Sequence, residues 1–295
     1  MNKFRIIPGS ATPHLVTLLV WITTPCMIFA SITTREYHEN LLGATLQMFA
    51  LGILFFAVAL VVGLFLCKKV FKVPEEDLGV YSASFAGINN GFMGFPITQA
   101  IFGGDIFYFM VIFNICLNIY MYSACPVILN MGSGKRTLHI KYILKKLANP
   151  STIVCFVSLF MLINGLQLPS ILFDSVNLIG DITVPLSMLV VGMQLADSNV
   201  ARVIKNKKLV VISFLKMLLL PVFIFLLVNW LPVAAGVKTA VVFGSCFPCA
   251  VVISALAVLE KKNSLLAAEM VALTTLISVG TIPIAAFLLT NYYGF

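Results

Sequence analysis

Residues 86–96 read Ala86-Gly87-Ile88-Asn89-Asn90-Gly91-Phe92-Met93-Gly94-Phe95-Pro96, inside an otherwise apolar stretch that runs from residue 79 to residue 103. Three glycines, two asparagines and a proline make a continuous helix costly here. An interior glycine costs about 1 kcal/mol relative to alanine and a proline about 3. At membrane depth, irregular backbone persists only where it is buried in protein or lines a wet cavity. The stretch therefore predicts a broken helix whose second half begins with amide N–H groups able to attract an anion. Asn89 and Asn90 add side-chain donors and acceptors, and Gly91, Gly94 and Pro96 shape the break. A kink satisfied by neighbouring helices is the simpler alternative.

The rest of the chain makes membrane depth the right setting. Hydrophobic residues form 60% of the 295 residues, charged residues only 10%, and mean hydropathy is +1.05. A soluble domain carries about a quarter of its residues charged. Stretches of roughly 20 apolar residues, enough to cross a hydrocarbon core of about 30 Å, recur throughout. Nine spans are predicted, at 14–34, 42–67, 79–103, 105–131, 149–166, 169–196, 208–231, 235–259 and 264–290. On this map the basic clusters Lys3–Arg5, Lys68–Lys72, Lys135–Lys146, Arg202–Lys208 and Lys261–Lys262 fall on one side, and only Arg35 and Lys238 on the other. The positive-inside rule then places the N-terminus in the cytoplasm and the C-terminus outside, in a multi-pass protein of the cell (inner) membrane. The net charge of +8 thus reads as topology rather than as a nucleic-acid site. The first apolar run, His14–Ile32, is too long for a signal-peptide core.

Prolines recur in a second pattern. Ile22-Thr23-Thr24-Pro25 matches Ile182-Thr183-Val184-Pro185, Pro96 matches Pro248, and Pro126 matches Pro283, with offsets of 160, 152 and 157 residues. Matching spans run in opposite directions, which is the signature of an inverted-topology repeat, a common architecture of secondary transporters. Chance recurrence of prolines, which are frequent in membrane helices, is the alternative. The chain divides accordingly into a first repeat at 1–131 with four helices, a basic cytoplasmic loop at 132–148, and a second repeat at 149–295 with five.

The segment Asn89–Pro96 resembles the auxin efflux carrier family, bacterial permeases related to the plant PIN-FORMED carriers. So do Asp181-Ile182-Thr183-Val184-Pro185-Leu186-Ser187-Met188 and Gly192-Met193-Gln194-Leu195-Ala196. The resemblance implies an all-α inverted-repeat bundle of the bile-acid symporter type with two crossing broken helices. It also implies export or exchange of small organic anions by an elevator-type motion, with Asn89 matching a substrate-contacting asparagine of the plant members. Two departures stand out. The family's first helix is absent, in line with the short first repeat. The plant carriers also place an acidic residue in the helix matching 42–67, where this chain has only Gln47 as a comparable polar group.

The second break is expected near Gly244-Ser245-Cys246-Phe247-Pro248-Cys249, with Ser245 and Pro248 as candidate site residues. Cys246 and Cys249 admit a membrane thiol oxidoreductase, although thiols buried in apolar surroundings are inert packing residues. Asn114 and Asn118, spaced i and i+4, share a helix face and are candidates to line the cavity, as are Thr274, Thr275 and Ser278; interhelical hydrogen bonds would explain them equally. Charges inside spans are few: Asp181 is a candidate for a proton or cation site or for a helix cap. Lys216 and Glu269 are candidates for coupling or for a structural ion pair. Gly132-Ser133-Gly134-Lys135 lacks the first glycine of a phosphate-binding loop, and His14, His38 and His139 are isolated, so no cofactor or metal is expected.

The sequence thus points to a secondary transporter, not an enzyme, carrying small organic anions such as malate, malonate or auxin-like acids. A sodium-coupled anion symporter, the thiol oxidoreductase and a non-transporting remnant are its alternatives. Its expected partners are the anion and the lipid bilayer, with a homodimer as a possible assembly.

Overall fold

The computed structural model describes residues 11–35, 39–131, 148–196, 203 and 205–294. The basic loop around Lys135–Lys146, the basic residues Lys3, Arg5 and Arg202, and His38 and His139 lie outside the described residues. Among the described residues the chain is helical throughout, with no strand. The elements are α1 (Thr12–Thr33), α2 (Glu39–Phe65, continued by a π-helical turn at Leu66–Val70), α3 (Glu75–Ala86), α4 (Phe95–Tyr122) and α5 (Ala124–Leu129). They are followed by α6 (Pro150–Ile163), α7 (Ser170–Asp181), α8 (Thr183–Ala196), α9 (Lys207–Asn229), α10 (Ala235–Ser245), α11 (Val252–Leu259) and α12 (Ser264–Tyr293). Six helical stretches among the described residues are long and apolar enough to cross a membrane.

One of the six, Glu75–Leu129, has 55 residues. As a straight helix it would measure roughly 80 Å, far more than one crossing needs. It does not run straight. The rings of Phe95 and Phe107, which a straight helix would hold roughly 18 Å apart, lie 5.4 Å apart between centroids. The reversal falls at Gly103, whose φ of 68° and ψ of −164° lie outside helical space, a conformation that a side chain would strain. α4 is therefore a short arm and a long arm folded against each other.

Three prolines inside the helices are preceded by local unwinding, whereas Pro283 sits within the continuous helix α12. π-helical turns at Leu19–Thr23, Asn90–Gly94 and Leu215–Leu219 precede Pro25, Pro96 and Pro221, relieving the clash between the proline ring and the preceding turn. Pro185 sits in the first turn of α8, just after the helix breaks at Ile182, where its missing N–H leaves no bond unmade. The two Ile-Thr-x-Pro motifs thus solve the same problem in different ways.

Packing divides the helices into two bundles. α1 lies against α6 and α7, while α2, α3, α4, α9, α10 and α12 pack on one another. Aromatic contacts seal the second bundle: Phe56 stacks on Phe113 and on Tyr120 at 5.3 Å, holding α2 to the long arm of α4. Outward-facing side chains are equally apolar, Phe65, Phe160, Val279 and Phe287 among them, as a lipid-facing surface requires. α8 bridges the bundles by touching α1, the turn Asn90–Gly94 and α12.

Candidate functional site

Helical backbone stops twice in the interior. α3 ends at Ala86 and helix resumes only at Asn90; α10 ends at Ser245 and α11 begins at Val252. The two interruptions touch each other: the Asn89 amide donates to the Pro248 carbonyl at 2.7 Å. That bond pairs two backbone groups that both helices leave orphaned, in an environment where an orphan costs about 1–3 kcal/mol.

Around the first break the asparagines have separate tasks. Asn89 caps the restarting helix, its Oδ1 accepting from the Phe92 amide at 3.4 Å and its carbonyl from Met93 and Gly94 at 3.3 and 3.1 Å. Three of the amides expected to attract an anion are thus engaged by Asn89 itself. Asn90 is fully buried, and its Nδ2 donates to the Met110 carbonyl at 3.1 Å and to Asn114 Oδ1 at 3.3 Å, tying the break to the long arm of α4. Its Oδ1 is buried with no hydrogen-bond partner. Gly94 is required by contact, since a Cβ there would collide with the Asn90 carboxamide and press on the Phe247 ring.

Two cavities meet at this break. One, of about 180 Å³, is bounded by Asn89–Phe92, by Asn114 and Asn118, by Val251 and, from the other bundle, by Thr24, Asn149 and Ser151. A second, of about 240 Å³, lies between Gln194 of α8 and Ser254 and Thr275 of α11 and α12, with Asn89 and Val251 again in its wall. Both lie on the boundary between the bundles. Among the described residues, their walls carry amides, hydroxyls and apolar groups and no charged side chain.

The remaining candidates are distributed as follows. Pro96 is buried in the first turn of α4. Ser245 is buried with its hydroxyl turned to the Val242 carbonyl, away from both cavities. Thr274 Oγ1 accepts from the Cys249 amide at 3.0 Å, satisfying the second break, and Ser278 bonds the Thr275 carbonyl at 2.6 Å within α12. Asp181 ends α7 on the outside of the bundle, within 3.4 Å of Asn177 Nδ2. Lys216 and Glu269 are not among the residues lining either cavity, and the Lys216 ammonium donates to two backbone carbonyls, that of Phe85 in the last turn of α3 and that of Gly87 in the first break. Cys246 and Cys249 are free, buried thiols.

Sequence reasoning missed Thr24, Asn149, Ser151 and Gln194 in the cavity walls. Thr24 lies in the Ile-Thr-x-Pro motif and Gln194 in the quoted Gly192–Ala196 segment, so a signal existed for those two. It also missed an ion pair outside the cavity walls. There Arg35 donates to Asp105 Oδ1 at 2.7 Å and to the Gly104 carbonyl at 2.9 Å, and lies over the Tyr108 ring, joining the end of α1 to the α4 reversal.

A multi-pass helical membrane protein with two interrupted helices meeting beside interior cavities is a membrane transporter in class. The model of the membrane transport protein family matches residues 1–286, and the chain belongs to that family, the one to which the Asn89–Pro96 segment points. It is 26% identical over 303 aligned residues to an uncharacterized transporter of Methanocaldococcus jannaschii, an alignment covering 98% of this chain and 93% of that protein.

Proposed function

We propose that this protein is a secondary carrier of small organic anions, carboxylates among them. The anion binds at the first break, and one bundle moves against the other to expose it to either side of the membrane. The observation that carries this reading is the position of Asn89, which stands in the wall of both cavities while capping the restarting helix. With Oδ1 engaged by Phe92, its Nδ2 is the donor left to offer a carboxylate. Cavities of 180 and 240 Å³ suit small acids, and location at the bundle boundary suits a site carried by one bundle past the other. Both cavities extend towards helix ends expected to be cytoplasmic: Asn149 at the start of α6 and Gln194 near the end of α8. The two inverted repeats, at 1–131 and 149–295, supply the symmetry for alternating access. Burial of Cys246 and Cys249 argues against a thiol oxidoreductase.

The test is uptake of malate, malonate and indole-3-acetate into proteoliposomes, with sodium or choline as the cation. Wild-type protein is expected to move at least one of them, in both media, and Asn89→Ala to lower that flux about tenfold or more, the worth of a hydrogen bond to a charged ligand. Wild-type-like flux in a folded Asn89→Ala variant sinks the assigned site; flux only with sodium favours a sodium-coupled symporter.

A further inference from the structure

Lys216 presents a charge with no role in the carrier reading so far. It lies in the π-helical turn Leu215–Leu219 of α9 and is fully buried, the only charged side chain so enclosed among the described residues. Its ammonium donates to the carbonyls of Phe85 and Gly87, each at 2.8 Å. The first carbonyl belongs to the last turn of α3 and the second to the break itself, two residues before Asn89. A helix that ends inside the membrane leaves such carbonyls without partners and gathers partial negative charge at its C-terminal end. One ammonium answers both problems. A neutral donor would satisfy the two carbonyls, and the partial charge of one helix end is smaller than a full ammonium charge, so part of that charge is left to act elsewhere.

The cavities supply one. An anion entering them meets Asn89, Asn114, Asn118, Gln194 and several hydroxyls, but, among the described residues, no cation in either wall. Bringing a carboxylate into such a site without countercharge is strongly unfavourable. Two residues of extended chain span about 7 Å at most, so the ammonium bound to Gly87 lies within about 10 Å of the Asn89 backbone. At that distance in a protein interior, opposite charges still attract by enough to matter.

We propose that Lys216 is the built-in countercharge of the anion site, a positioning residue that acts from behind the first break. It holds the end of α3 in place and balances the substrate's negative charge without touching it. A carrier equipped in this way has no need of a bound metal cation to offset the anion. The inference rests on the carrier reading, and the experiment separates the two.

Concentration-dependent flux of malate, malonate and indole-3-acetate is measured in proteoliposomes for wild type, Lys216→Gln and Lys216→Ala, with thermal unfolding of each purified protein. Glutamine can still donate to the two carbonyls but carries no charge. Lys216→Gln is expected to stay folded and to raise the KM of the transported acid about tenfold, with the maximal rate changed much less. Lys216→Ala is expected to lose flux and to recover it with added ethylammonium, which refills the vacated space with a cation, but not with choline. A wild-type KM in Lys216→Gln overturns the countercharge and leaves Lys216 a helix cap. Failure of both variants to fold, uncorrected by ethylammonium, overturns it as well. Absence of wild-type flux for every acid removes the carrier reading, and this inference with it; an unaltered variant in a transporting background removes the inference alone.

Discussion

The two breaks meet at one hydrogen bond yet are built from opposite materials. The first, from Gly87 to Gly94, is polar: Asn89 caps it, Asn90 ties it to Met110 and Asn114, and Lys216 holds its leading end. The second, from Cys246 to Val251, contributes backbone and apolar bulk. Its Phe247 ring packs edge-on against Phe243 at 5.0 Å and close to Gly94, and its thiols are buried. What polarity it has comes from elsewhere, through Thr274 accepting from the Cys249 amide. Interrupting a helix in a membrane requires only that the freed groups find partners. Polar side chains that also face a cavity are a further provision, and of the two breaks only the first has them, the second adding the apolar Val251. On the proposed carrier reading the pair divides the work: one interruption presents the ligand site, and the other buttresses it.

The strongest challenge to this division is Asn90→Ala. It removes both bonds to the long arm of α4 and leaves the Met110 carbonyl in the interior without that donor. A loss of about 1–3 kcal/mol of stability follows, together with a fall in flux at least as large as the fall in thermal stability can explain. Unfolding in detergent and flux in liposomes measure the two; an unchanged flux means that the first break needs only Asn89.

Thr274→Val probes the buttress with a side chain of similar shape. The Cys249 amide loses its acceptor, so stability is expected to drop by about 1–3 kcal/mol. KM for the transported acid is expected to remain near wild type, because the hydroxyl serves the second break and not the cavity. A shift in KM larger than the shift in maximal rate would show that the second break contributes to binding.

Replacing both thiols, Cys246→Ala with Cys249→Ala, is expected to have the smallest effect on function. The double variant loses a little packing, about 1 kcal/mol per site, and its flux is expected to stay within about threefold of wild type. Collapse of flux in a protein that unfolds at nearly the wild-type temperature would restore a chemical role to the pair.

Much of the fold was legible from residue order. The ends of α1, α7–α8, α9 and α12 lie within a few residues of the predicted spans, because burial of long apolar stretches is a local, additive property. Gly87, Gly91, Gly94 and Pro96 announced the first break for the same reason: helix propensity is read residue by residue. At the site, Asn89, Asn90, Asn114 and Asn118 were recognisable as polar groups out of place in apolar helices, and they do gather at one cavity. Ser245 had the same appearance but turns its hydroxyl back to its own helix, a choice that depends on which side of α10 faces the cavity. Asn149, Ser151 and Arg35 sit at helix ends, where polar residues are ordinary and carry no signal of their own.

Residue order by itself thus determined that the chain lives in a membrane, where its helices run and where the first must break. The partnerships were decided only by the tertiary structure: Asn89 with Pro248, Asn90 with Met110, and Lys216 with Phe85 and Gly87, the last pair separated by 131 and 129 residues. Hydropathy and propensity are summed along the chain. The satisfaction of a buried donor or charge depends on which distant helix is packed beside it, and no local pattern records that.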